Sequence, residues 1–347
     1  TGDAPLFIEA TPWVGPPVGR KSLENLSPRI RRESGGYSGA SDNRFESQWR
    51  RERSPRIRQD PGARLRLGEE LGWHREFMRR SGGDSYVSEI DGFVNSAEGL
   101  RSLDSRTKAI VTIPVGATQE ADNIYRTLSL YGQQQGVDMN SFRVLLHVNW
   151  IDSAQNNPEK AAAIAKTHSE IARAKADFPD LRVDTIQSVW SQDKLDRKEY
   201  GDRLIGHVSQ KMYDTAMMAT DRAVRDGRID GSTSDMLIIK NDADAMGMDK
   251  RYIAKMIRSF EDHPESDTFT GAIYWGAERH KDLPGLGFVI KFNEISRIVS
   301  QLKSVNSYQN SFGVNTAVRM STLAAVGGIG HYGDQRESAP DDLAIGE

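Results

Sequence analysis

The residues best placed to do chemistry follow a short apolar run. Met236-Leu237-Ile238-Ile239 leads into Lys240-Asn241-Asp242-Ala243-Asp244-Ala245. Two carboxylates two residues apart, just past a buried strand, can be turned toward one site. Hard divalent cations such as Mn2+ and Mg2+ take oxygen ligands and are often shared with substrate phosphates. An Asp-x-Asp alone also occurs as a plain acidic loop. A calcium EF-hand starting at Asp242 is excluded. Its fifth position is Met246, and its twelfth is Ile253, where a bidentate Glu is required. A second acidic pair, Asp341-Asp342, precedes Leu343. Adjacent carboxylates repel, and their surroundings can raise the pKa of one. Such a group beside an acceptor hydroxyl suits a general base, and a solvated acidic turn is the simpler alternative.

Other residues offer less. Gly328-Ile329-Gly330-His331-Tyr332-Gly333 spells Gly-x-Gly-x-x-Gly, but it does not follow a strand and open a helix, as a dinucleotide fingerprint must. His331 in that loop reads as a solvated histidine before a metal or phosphate ligand. Trp275 could stack on a sugar or simply line a rim. Arg319 reads as structural, and Met217 and Met218 as core packing.

Elements that would position these residues can be read from pattern. Strands are expected at 109–115, 142–148, 181–186, 236–239, 267–275 and 287–292. Helices are expected over 119–134, from Pro158 to Ala176, over 202–226 ending near Gly227, from Asp249 to Asp262, and at 294–304. Strands alternating with helices indicate an α/β fold with a largely parallel sheet. In such sheets ligands bind beyond the carboxyl ends of the strands. That directs attention to Gly116-Ala117-Thr118-Gln119-Glu120, to Asn149-Trp150-Ile151-Asp152-Ser153, and to the Asp242–Asp244 loop.

The chain has 347 residues, room for one large domain or two ordinary ones. It has no cysteine, which excludes disulfides, a thiol nucleophile and Cys-type metal sites. With 46 Lys+Arg against 49 Asp+Glu, the net charge of −3 argues against a nucleic-acid binder. No apolar run reaches the length of a transmembrane helix. The charge is uneven. Residues 1–108 are Arg-rich and net basic, and residues 109–347 are net acidic. The basic part contains Ser-Pro-Arg-Ile-Arg twice, at 27–31 and 54–58, too few copies for a repeat fold. It reads as an irregular arm with short helices near 42–53 and 68–80. Leu71, Phe77 and Met78 would pack against something larger. Its apolar residues favour docking on its own domain, a second copy or a protein partner over free disorder.

The order of these segments resembles the GT-A fold glycosyltransferases, most closely family 2. The resemblance rests on Ile113-Pro114 with Glu120 after the first strand, and on Asp242-Ala243-Asp244 after a later one. It continues with Gly313, Asn315 and Arg319 leading to Val326-Gly327-Gly328, and ends with Asp341-Asp342-Leu343. It spans about 109–347 and leaves the arm outside. It implies a GT-A, Rossmann-like fold: a mixed, mostly parallel sheet flanked by helices, continuing beyond Glu347. It also implies metal-dependent, inverting transfer of a sugar from a nucleotide-diphosphate donor, UDP- or GDP-linked, to a carbohydrate or other hydroxyl, as in polysaccharide biosynthesis. Asp244 and Asp242 would hold Mn2+ or Mg2+. Pro114, Glu120, Asp152 and Asp242 would line the nucleotide, and Asp342 or Asp341 would be the base. The setting would be cytoplasmic or peripheral to a membrane. The chain departs from the pattern at Asn149-Trp150-Ile151-Asp152-Ser153, where acidic residues followed by Gly-Ser are usual. Two alternatives are a sugar nucleotidyltransferase and a non-catalytic glycosyltransferase-like assembly module.

Overall fold

A computed structural model describes residues 8–9, 65–197, 204–232, 236–264, 266–273, 315–325 and 327–328. Strands β1 (Ile8–Glu9), β2 (Ala109–Gly116), β3 (Phe142–Ile151), β4 (Val183–Trp190), β5 (Leu237–Lys240), β6 (Thr268–Thr270), β7 (Ala272–Ile273) and β8 (Thr316–Arg319) appear in chain order. The helices are α1 (Leu67–Ser96), α2 (Glu98–Arg101), α3 (Ile124–Gly132), α4 (Pro158–Asp177), α5 (Gln192–Asp196), α6 (Leu204–Arg225), α7 (Tyr252–Asp262) and α8 (Met320–Ala325). Six strands form one sheet in the order β4-β3-β2-β5-β8-β6. β2, β3, β4 and β5 run parallel, and β8 is antiparallel to both β5 and β6. The fold is therefore α/β with a mixed, mostly parallel sheet. Ile8–Glu9 pairs antiparallel with Ala272–Ile273, which brings the start of the chain against β7.

Alternation along the strands explains the layers. Ala109, Val111, Ile113 and Val115 of β2 join Phe142, Val144, Leu146 and Val148 of β3 in one apolar cluster, with Ile124, Leu128, Ile171, Tyr252 and Phe260 from α3, α4 and α7. Ile110, Leu145, Ile238 and Val318 point the other way, into a cluster with residues of α1, α6 and α8. Side chains of a strand alternate faces, so runs buried on both faces belong in the middle of a three-layer sandwich.

Helix α6 touches β2 and β3 on one side and α1 on the other, so almost every position from Gly206 to Asp221 is buried. Polar side chains on such a helix need partners. Asp214, fully buried, accepts from Tyr86 Oη at 2.7 Å and Gln210 Nε2 at 2.8 Å, and lies 2.6 Å from His74 Nε2. His74 and Tyr86 lie on either side of Gly83, whose positive φ of 77° breaks α1, so one carboxylate ties both halves of α1 to α6. α6 ends where Gly227, at φ 72°, lets the Arg228 amide return to the Ala223 carbonyl.

Several boundaries differ from the sequence expectations for local reasons. The helix expected over 68–80 runs to Ser96, and Leu71, Phe77 and Met78 are buried in the α1–α6 cluster. That cluster also takes in Leu100, Leu103 and Ile110, so packing is continuous across residue 108. The helix expected from 119 begins at Ile124, because the Gly116 carbonyl first accepts from the amides of both Gln119 and Glu120. α7 begins at Tyr252 and not Asp249, after Asp249 takes the Arg251 amide. The third sheet strand starts at Val183 and runs to Trp190. The strand expected over 267–275 is interrupted at Gly271, whose amide leaves for the Asn315 carbonyl. The helix near 42–53 and the elements at 287–292 and 294–304 lie outside the described residues, and the β8–α8 unit was not anticipated. Among the described residues no helix is long and apolar enough to cross a membrane.

Candidate functional site

Chain order reverses across the sheet between β2 and β5, since β3 and β4 lie on one side of β2 and β5 on the other. Such a switch point opens a crevice at the carboxyl ends of its strands. Here the opening has a specific cause. The carbonyls of Lys108 and Thr112 accept from the amides of Leu237 and Asn241, so even-numbered residues of β2 face β5 with their backbone groups. The next even residue is Pro114, which has no N–H to offer. The β2–β5 ladder ends at Thr112–Lys240, while β2 stays paired to β3 through Gly116. Proline inside a sheet is tolerated where a ladder bond is not needed. Pro114 thus marks the point where the two strands separate.

Acids follow both strands beyond the end of the β2–β5 ladder. From β2 the chain turns over Gly116 to Glu120, which is half-buried and accepts from Asn123 Nδ2 at 2.9 Å. Burial raises the Glu120 pKa above its ordinary value. The Asn123 contact opposes the rise, and the charge of Asp244 adds to it. Glu120 and Asp244, from opposite lips, therefore share one electrostatic neighbourhood. From β5 comes the 241–249 loop, in which Asn241, Ala243, Ala245 and Met248 are buried and Asp242 and Asp244 are exposed. The loop has no strand ladder over these residues, so its alternation is imposed by neighbours. Asn241 Nδ2 donates to the buried Tyr131 Oη at 2.7 Å and to Tyr252 Oη at 3.2 Å. Burial pushes the Tyr131 phenol far above its ordinary value, with the Asp242 charge adding to the effect, so it stays protonated. Thr127 Oγ1 donates to the Ala243 carbonyl at 2.6 Å, and Arg126 Nε donates to that of Ala245 at 3.2 Å.

The expected site residues thus divide. Pro114 follows the end of the β2–β5 ladder, Glu120 lies within electrostatic range of Asp244, and Asp242 is exposed on the same loop as Asp244. Asp152 lies at the end of β3, on the far side of β2 from β5, where its exposed carboxylate accepts the Gln192 amide at 3.0 Å at the start of α5. Arg319 donates to the carbonyl of Phe260, near the end of α7, at 3.0 Å and to that of Ser266, beyond the helix, at 2.9 Å, and its guanidinium lies over the Phe260 ring. Asp341, Asp342, His331 and Trp275 lie outside the described residues. Among the described residues no group of three or more His, Cys, Asp or Glu side chains is gathered to hold a metal ion. Thr127, Tyr131 and Asn241 were not singled out as functional. A threonine between Ile124 and Tyr131 on a buried helical stripe was the available signal, because a buried hydroxyl needs an acceptor.

No family model matches the chain, and neither a curated protein nor a solved structure is detectably similar to it.

Proposed function

We propose that the chain is a metal-dependent glycosyltransferase that moves a sugar from a nucleotide-diphosphate donor to an acceptor hydroxyl. The observation that carries this reading is the placement of the acids at the point where β2 and β5 part. Exposed Asp242 and Asp244 stand on a strapped loop across from Glu120, at the switch point opened by Pro114.

The donor set suits Mn2+ or Mg2+. These ions bind through one or two carboxylates and keep the rest of their shell for water and substrate phosphates. In this reading Asp244 and Asp242 hold the ion, which when bound acts as a Lewis acid toward the diphosphate. Glu120 and Pro114 border the nucleotide on the other lip. Asp342, or else Asp341, takes the proton from the acceptor hydroxyl. The acceptor oxygen forms its bond to the anomeric carbon from the face opposite the donor oxygen. The anomeric carbon–oxygen bond breaks, and its electron pair leaves with the nucleotide diphosphate, inverting the centre.

Thermal shift against nucleotides and nucleotide-sugars, with and without Mn2+, tests this. Ligand at about 100 times its Kd stabilises the native state by about 2.7 kcal/mol. Wild type is expected to shift with one UDP- or GDP-linked ligand only when Mn2+ is present, and Asp244→Ala is expected not to. A panel in which nothing shifts wild type, or in which Asp244→Ala responds equally, overturns the proposal. Pyrophosphate released from a nucleoside triphosphate and a sugar phosphate would indicate a nucleotidyltransferase instead.

A further inference from the structure

The Asp242–Asp244 loop is held along its length by one helix and the turn that follows it. Thr127 and Arg126 of α3 take the carbonyls of Ala243 and Ala245, the two residues that flank Asp244. Tyr131 of the same helix receives Asn241 at the loop's start. Just beyond α3, Gln134 Nε2 donates to the Asp249 carbonyl at 3.0 Å, and the Gln135 amide donates to that of Lys250 at 2.6 Å, at the loop's end. Thr127 is fully buried, and no water can replace its hydroxyl at the Ala243 carbonyl without a rearrangement. Ala243 is buried between the exposed Asp242 and Asp244, so the bond that holds its carbonyl acts on the peptide between the two acids.

We infer that Thr127 and Arg126 are positioning residues that hold the peptides on either side of Asp244 so that Asp242 and Asp244 converge on one divalent cation. The inference rests on the reading of those carboxylates as metal-holding groups. Groups that orient metal ligands through their own hydrogen bonds typically contribute 10- to 100-fold to metal affinity.

The test is Mn2+ binding to the full chain by isothermal titration, with the nucleoside diphosphate selected by the thermal-shift panel present at saturation. Thr127→Val keeps the shape and removes the hydroxyl. It is expected to weaken Mn2+ binding about 10-fold or more, with Tm within about 4 °C of wild type. Thr127→Ser is expected to restore affinity. Arg126→Lys keeps the charge but loses the guanidinium geometry, and it is expected to weaken binding severalfold. It serves as the deciding variant if Thr127→Val does not fold. Wild-type affinity in Thr127→Val, or in Arg126→Lys when that variant decides, overturns the strap while leaving the cation site standing. A wild type that takes up no Mn2+ overturns both the cation site and the strap.

Discussion

His147 offers a quantitative test of the layer between the sheet and α6. It sits in β3, fully buried, with Nδ1 3.0 Å from the Val208 carbonyl and Nε2 2.8 Å from Ser188 Oγ. A carbonyl can only accept, so Nδ1 carries the proton, and Ser188 donates to Nε2. Burial, with the Lys211 charge adding to it, brings the imidazole pKa down to about 3 from 6.5. The sign follows. Below pH 6.5 the unfolded chain takes up a proton that the native chain refuses, so stability is lost as pH falls toward 3. At about 1.36 kcal/mol per pH unit below the unfolded pKa, the loss between neutral pH and pH 4.5 is about 2.7 kcal/mol. His147→Asn keeps a donor for Val208 and removes the ionisation. Urea midpoints of wild type and variant, measured across this range and converted with a common m-value, isolate the effect, because other titrating groups cancel in the difference. The variant is expected to be less stable at neutral pH and to close the gap by about 2.7 kcal/mol by pH 4.5. Parallel curves would refute the buried, neutral imidazole and with it the packing of α6 on β3.

Three further outcomes are expected. Asp214→Ala removes the buried acceptor shared by Tyr86 and Gln210 and the partner of His74. It should cost about 3–5 kcal/mol in denaturant unfolding. Gly99→Ala places a Cβ in clash with Asp184 Oδ2, and Asp184 cannot swing clear without giving up the Gly99 amide it accepts at 2.8 Å. A loss of about 1–3 kcal/mol is expected by the same measurement. Glu120 holds its proton more tightly in the native state than in the unfolded one, chiefly through burial. Wild type should therefore gain stability relative to Glu120→Gln as pH falls through the native pKa to about 4.5, and gain nothing further below it.

What the sequence made legible follows from the physics of each signal. Val111, Ile113, Val144 and Leu146 read as strands because apolar runs between turns have few other uses. α4 read cleanly because Pro158 follows Asn157, whose side chain caps the amides of Glu159 and Lys160. Positions set by tertiary partners did not read. Asp152 sits at a strand end, as a ligand-binding acid would, yet its carboxylate takes the Gln192 amide, about 40 positions away. The length of α1 depends on a layer contributed by α6. The Asp242–Asp244 spacing was visible, but the hydrogen bonds that hold the loop, from Thr127 to the Ala243 carbonyl and from Arg126 to that of Ala245, are ones no local pattern connects to it.

The antiparallel pairing of β8 against β5 also bears on how the chain is made. Roughly 75 residues separate the end of β5 from the start of β8. At a synthesis rate of about 5–20 residues per second, β5 emerges some 4–15 s before its outer neighbour exists. Throughout that interval Leu237-Ile238-Ile239 forms the open edge of a nascent sheet, a short apolar template for pairing with another chain. Chains ended between Lys240 and Thr316 should therefore aggregate even though β2, β3 and β4 are complete. Expression of the full chain should depend on chaperone capacity during that window more than on final stability.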